Sequence, residues 1–218
     1  MRLLLVNPNT SRHITERLAL SARAVLPPGA QLTALTADHG PAAVRSPEEL
    51  QAAAERVLAM ALAYQADHDA VLIGISLDCG LAATRAACAP QPVVGMTEAA
   101  CLAALQIGPR FGVLTLGAAM ANSYREHVCG LGFADALVGV AAPECAAAFA
   151  AEPGAVLPEV LDTLASAAQP LCAAGAGSVV LAGAVLCGYA PALQQRLGVP
   201  VLDGVACGVA LLSARLST

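Results

Sequence analysis

Ala70-Val71-Leu72-Ile73-Gly74-Ile75-Ser76-Leu77-Asp78-Cys79-Gly80-Leu81-Ala82 decides the fold, because the chain contains it twice. Shifted by 108 positions, it falls without a gap on Ser178-Val179-Val180-Leu181-Ala182-Gly183-Ala184-Val185-Leu186-Cys187-Gly188-Tyr189-Ala190. At the same shift Pro92-Val93-Val94 falls on Pro200-Val201-Leu202, and Leu3-Leu4-Leu5-Val6 on Phe111-Gly112-Val113-Leu114. Three blocks share one register, and the shift is close to half of the 218 residues. The chain therefore reads as two similar lobes related by a pseudo-twofold axis. The expected division is 1–108 and 109–218, with the chain crossing between lobes.

Around these blocks, short aliphatic runs alternate with longer helical patterns. Strands are expected at 3–6, 32–35, 71–75, 93–94, 112–116, 137–140, 179–181 and 201–202. Helices are expected at 11–25, 47–65, 80–88, 97–107, 118–130, 157–173, 188–196 and 205–216. Ser46 before Glu48 and Glu49 is an N-cap signal with acidic residues in the first turn. Unbroken apolar strands alternating with helices imply an α/β fold with parallel sheets covered on both faces. The stretches 37–47 and 141–155 read as turn-rich connections.

Composition removes several classes of function. Of the residues 57% are apolar and 3% aromatic, and 51 are alanine. All eleven basic residues are arginine. Without lysine there is no pyridoxal-phosphate Schiff base and no Walker A loop. A net charge of −5 with no basic cluster argues against a nucleic-acid partner. The longest uncharged stretch, 170–193, is broken by glycines and Pro191, so no membrane span is expected. The first apolar run stops at Asn7-Pro8, too short for a secretory signal, so a cytoplasmic chain is expected. The eight cysteines have no C-x-x-C spacing and the four histidines are scattered. Neither a metal site nor a cofactor is expected, and the thiols read as free.

The repeat singles out Cys79 and Cys187. Each follows a strand and precedes a glycine and a helix, where ligands of open parallel sheets sit. Two such thiols on either side of a cleft would suit two-base proton transfer at a stereogenic carbon: one removes a proton, the other delivers one to the opposite face. Against this stands a plain packing role for both cysteines. Asp78 would raise the Cys79 thiol pKa, whereas its counterpart Leu186 is apolar. Other candidates lie at strand ends. Asn7 and Asn9 can bind a polar substrate or form an Asx-turn and cap. Thr115 and Gly117 offer backbone N–H groups to an anion, and Ser76 a hydroxyl. Glu98 can orient a substrate N–H or act at the surface, and Tyr189 can line the cleft or pack. His13 and His39 read as solvent-facing.

These residues resemble a known family. Leu5-Val6-Asn7-Pro8-Asn9-Thr10-Ser11 is similar to the N-terminal motif of hydantoin and allantoin racemases, in the aspartate/glutamate racemase superfamily. Pro92-Val93-Val94-Gly95-Met96-Thr97-Glu98-Ala99-Ala100, Arg110-Phe111-Gly112-Val113-Leu114-Thr115 and Val199-Pro200-Val201-Leu202-Asp203-Gly204-Val205 resemble its later motifs, in order. The resemblance implies two flavodoxin-like lobes, an interlobe cleft, homo-oligomers and cofactor-independent racemisation of small molecules such as hydantoins, allantoin or amino acids. It also exposes a departure. The family's two cysteines align with Ile75 and with or near Gly183, four residues before Cys79 and Cys187. Either the thiols have moved or the usual chemistry is absent. An arylmalonate-decarboxylase-like or maleate-isomerase-like enzyme with one cleft cysteine, and a non-catalytic binding protein, stay open as alternatives.

Overall fold

Leu3, Leu4, Leu5 and Val6 are all fully buried, as a strand covered on both faces requires. The computed structural model, which describes residues 1–44 and 46–217, places them in the centre of a four-stranded parallel sheet. It is formed by β1 (Arg2–Asn7), β2 (Gln31–Thr36), β3 (Ala70–Ile73) and β4 (Val93–Gly95) in the order β2-β1-β3-β4. A second sheet contains β5 (Phe111–Leu114), β6 (Leu137–Ala141), β7 (Ser178–Leu181) and β8 (Val201–Asp203) in the order β6-β5-β7-β8. The 108-residue shift holds at the level of pairing. Leu3 opposite Ala70 recurs as Phe111 opposite Ser178, and Val71 opposite Val93 as Val179 opposite Val201.

Nine helices are present among the described residues: α1 (Arg12–Arg23), α2 (Pro47–Tyr64), α3 (Leu81–Ala87), α4 (Met96–Ile107), α5 (Ala121–Val128), α6 (Ala146–Ala150), α7 (Pro158–Ala173), α8 (Ala190–Leu197) and α9 (Gly204–Leu216). Local chemistry sets several of their starts. Ser46 and Glu49 form a reciprocal capping box on α2, and the Ser11 side chain accepts from the Ile14 N–H at the start of α1. Three expectations change, the first being that the strand expected over 112–116 ends at Leu114. The strand expected over 71–75 ends at Ile73, where the chain turns and the Asp78 N–H bonds the Ile75 carbonyl. The expected connection 141–155 contains the short alanine-rich α6. No described helix is long and apolar enough to cross a membrane.

The two halves exchange their last helices. From α4, Ala100, Cys101 and Ala104 pack with Phe111, Val113 and Val180 of the second sheet. From α9, Val205, Val209 and Leu212 pack with Leu3, Leu5 and Leu72 of the first. The first turns of α4 and α9 meet so closely that a Cβ on Gly204 would lie 2.6 Å from the Met96 carbonyl oxygen. Both helix N-termini carry unpaired N–H groups and partial positive charge. Each receives one carboxylate. Asp203 caps α9, accepting from the N–H groups of Val205 (2.9 Å) and Ala206 (3.2 Å). Its counterpart under the repeat is Gly95, which has no side chain. There Asp78 reaches in from the loop after β3 and accepts from Thr97 (3.1 Å) and Glu98 (2.8 Å). A Cβ on Gly95 would lie 2.3 Å from the Asp78 carboxyl carbon.

Gly95→Ala therefore expels the Asp78 carboxylate from the α4 terminus. Overpacking and loss of the cap together should cost about 3 kcal/mol in urea denaturation. Gly108→Ala, at an extended residue with open space around it, should stay within about 0.5 kcal/mol of the parent. Equal effects would show that Gly95 is not reserved for Asp78.

Candidate active site

In open parallel sheets, functional groups collect beyond the carboxyl ends of the strands. After β3 the chain presents Ser76, and after β5 it presents Thr115; both are buried. Tyr124, from α5 in the second half, joins them. Its hydroxyl forms a short hydrogen bond with Ser76 Oγ, and the Thr115 side chain stands near enough to favour the phenolate. The Ser76 carbonyl accepts from Thr97 Oγ1, which ties the hydroxyl junction to the first turn of α4. Burial pushes the Tyr124 phenol above its ordinary range, and Ser76 and Thr115 pull it part of the way back. The end of β7 closes on the same place: a Cβ on Gly183 would lie 3.8 Å from Thr115 Oγ1.

One turn along α5 from Tyr124, His127 Nε2 lies 3.1 Å from Asp78 Oδ2. Desolvation raises the Asp78 carboxyl pKa; His127 and the α4 N–H groups act in the opposite direction. Tyr124 and His127 thus both reach from the second half to the β3–α3 loop of the first. The sequence reading missed both. Their three-residue spacing puts them on one helix face, and that spacing is the signal in Tyr124-Arg125-Glu126-His127.

Asn7 belongs to the frame. Its Nδ2 donates to Thr15 Oγ1 (2.9 Å) and Asn9 Oδ1 (3.0 Å). Asn9 Oδ1 also accepts from the Ser11 N–H, while Asn9 Nδ2 makes no hydrogen bond to the described residues. The anion cradle expected at Thr115 and Gly117 does not form from their amides. The Thr115 N–H is spent on the Ala141 carbonyl and the Gly117 N–H on the Pro143 carbonyl. Glu98 pairs with Arg85 at 2.6 Å. Tyr189 is fully buried, accepts from the Leu157 N–H (3.4 Å) and stacks against the Arg17 guanidinium. It packs and does not line a cleft.

Cys79 and Cys187 do not face one another. In β1 and β3, side chains alternate between the two sheet faces. Cys187 packs in the cluster of Leu3, Leu5 and Leu72 on one face; Cys79 packs against the cluster of Leu4, Val6 and Ile73 on the other. Burial and the neighbouring Asp78 push the Cys79 thiol up to about 12. Cys187 is raised well above the ordinary range by burial and by the neighbouring Asp203 carboxylate. The apolar neighbour Leu186 did not announce that carboxylate. Neither thiol is poised to give thiolate at neutral pH. The positions where the resemblance places the family's cysteines, Ile75 and Gly183, flank the hydroxyl junction in sequence and in space.

The family model described as Asp/Glu/Hydantoin racemase matches residues 3–212. The chain belongs to that family. It is 31% identical over 216 residues to the hydantoin racemase of Paenarthrobacter aurescens, covering 96% of this chain and 89% of that one. Among solved structures it superposes on an allantoin racemase from Pseudomonas fluorescens with a TM-score of 0.90 at 27% identity, over 100% of this chain and 91% of the other. For the allantoin racemase from Klebsiella pneumoniae the values are 0.89 and 27%, over 100% and 88%. The racemase-family fold is thus the paired-sheet arrangement described above, and the hydroxyl junction lies at the strand ends of this racemase-type chain.

The raised thiols give this family member a specific pH response. The native chain keeps these protons while the unfolded chain releases them near 9. Stability is therefore full below that value and falls as pH climbs toward about 12, the value for both Cys79 and Cys207. Each thiol steepens the fall by up to about 1.4 kcal/mol per pH unit. Urea denaturation from pH 8 to 11 should give a shallower decline for Cys79→Ala/Cys207→Ala. An unchanged slope would mean that these thiols titrate alike in the folded and unfolded chains.

Proposed function

We propose that this chain is a cofactor-independent racemase or epimerase of a small polar carbon acid of the hydantoin class. The single observation carrying the reading is the junction of three hydroxyls, Ser76, Tyr124 and Thr115, drawn from both halves of a racemase-family fold. In a 5-substituted hydantoin, removal of the ring C–H proton moves charge onto the adjacent carbonyl oxygen. Hydroxyls held in place before the reaction stabilise that charge as it develops, and one such donor is worth about 3 kcal/mol. In the relay, Ser76 Oγ takes the ring proton as its own proton passes to Tyr124 and the Tyr124 proton passes to the carbonyl oxygen, which gives the neutral enol. The enol is planar at carbon, so delivery of a proton from water to the opposite face, with loss of the enol O–H proton to solvent, inverts the centre. In this reading Asn9 Nδ2, without a protein partner among the described residues, donates to a second ring carbonyl. Asn7 and Gly117 frame the site, and Glu98 and Arg85 hold its α4 edge.

The donors named are neutral, which suits a neutral ring imide better than a zwitterionic amino acid. A two-base route through Cys79 and Cys187 has little support: they pack on opposite faces of the first sheet, and both hold their protons.

The test follows loss of optical activity and solvent-deuterium incorporation for single enantiomers of 5-benzylhydantoin and allantoin. Tyr124→Phe and Ser76→Ala should each lower kcat/KM about 100-fold. A folded Cys79→Ala/Cys187→Ala variant should stay within about threefold of the parent. Loss of activity in that variant, with Tyr124→Phe still active, would return the chemistry to the thiols. Saturable binding without exchange for either compound would make the chain a binding protein.

A further inference from the structure

Away from the hydroxyl junction, a cavity of about 920 Å³ opens at the seam of the two halves. It lies between α1, α4, α9 and the start of α8, so helices packed on both sheets form its walls. Leu20, Leu102 and Leu211 give it aliphatic sides. Arg17 lies at its floor, only 1% exposed.

Arg17 is the unusual feature. Its terminal nitrogens donate to the carbonyls of Ala151 (3.0 Å), Glu152 (2.7 Å), Ala155 (3.5 Å) and Cys187 (3.3 Å). It forms no ion pair with a described carboxylate, and its buried Nε has no hydrogen-bond partner. A buried charge is ordinarily matched by an opposite one. The one carboxylate among the described lining residues, Asp203, is already matched by the N–H groups of Gly188, Val205 and Ala206. The cavity is thus aliphatic along its sides and electropositive at its base, within the size range of small-molecule sites, about 300–1,000 Å³.

We propose that this seam cavity binds a small amphipathic monoanion, an aliphatic or aryl-substituted carboxylate. Its apolar body lies along Leu20, Leu102 and Leu211, and its charge sits over Arg17. The volume of the cavity and its buried cation favour such a molecule over the flat apolar face of a second copy. The site shares none of the hydroxyls named for catalysis, so it stands or falls separately from the proposed reaction. Its occupant contacts both halves at once, as an effector that sets their relative position would.

The test uses 1-anilinonaphthalene-8-sulfonate as an apolar monoanionic probe on the full chain. Fluorescence titration should show one saturable site per chain, with decanoate displacing the probe at least tenfold better than decanol. Leu102→Glu, which sets a carboxylate in the wall, and Ala210→Trp, which fills the cavity, should each weaken binding at least tenfold while the thermal midpoint is retained. Arg17→Met, where it folds, should lose the preference for decanoate. Equal displacement by decanol, or unaltered binding in both wall variants, overturns the proposal. So does a stable dimer in sedimentation that covers the cavity and excludes the probe.

Discussion

Two helix N-termini, brought together at the pseudo-twofold axis and each met by one buried carboxylate, are the constraint on which the rest of the fold depends. The first turns of α4 and α9 touch, so two partial positive charges face each other away from solvent. Left alone they would repel and leave N–H groups unbonded. Asp203 answers for α9 from its own N-cap, and Asp78 for α4 from a loop 17 positions before Gly95. The cost is the desolvation that raises the Asp78 carboxyl pKa. The gain is that each half surrenders its last helix to the other sheet without an uncapped buried end.

The site inherits its geometry from that arrangement. To cap α4, Asp78 adopts a φ of +46°, a conformation uncommon for a residue with a side chain. The loop around it is therefore fixed at both ends: Asp78 is held by the α4 amides, and the Ser76 carbonyl by Thr97 of the same turn. Ser76 Oγ then points where Tyr124 and Thr115 meet it. The second half braces the same loop through His127 on Asp78. A capping interaction between strand end and helix end thus places a hydroxyl at the strand ends to within a hydrogen-bond length.

The strands and their pairing were legible in the sequence because buried parallel strands leave an unbroken aliphatic signature, and the same signature recurred at one shift. The exchange of α4 and α9 was not. Both helices are rich in alanine and small residues, and nothing in their periodicity says which sheet they cover. The Cys-Gly register has a backbone reason of its own. Gly80 and Gly188 have φ values of +79° and +92°, so the repeat preserves a backbone conformation that glycine adopts without strain. The cysteine before each glycine packs as a small apolar side chain, on opposite faces of one sheet. Tyr124 and His127 stayed hidden because 118–130 read only as a helix, and the loop they brace is remote in sequence.

The charge inventory then narrows the chemistry. Lysine is absent, and several arginines are already paired with carboxylates: Arg85 with Glu98, Arg196 with Asp162 and Arg2 with Asp69. The groups converging at the strand ends are hydroxyls and an amide. Such donors gain most when charge appears on an oxygen during the reaction and gain little from a substrate charged at the outset. They favour a carbon acid that enters neutral and becomes an enol. An amino acid would bring a carboxylate and an ammonium into a junction whose donors match neither with full charges, and would lose its hydration there. On the proposed reading, a neutral ring with a carbonyl on one side of the labile C–H and an N–H on the other avoids that loss and presents its developing charge to Ser76, Tyr124 and Thr115.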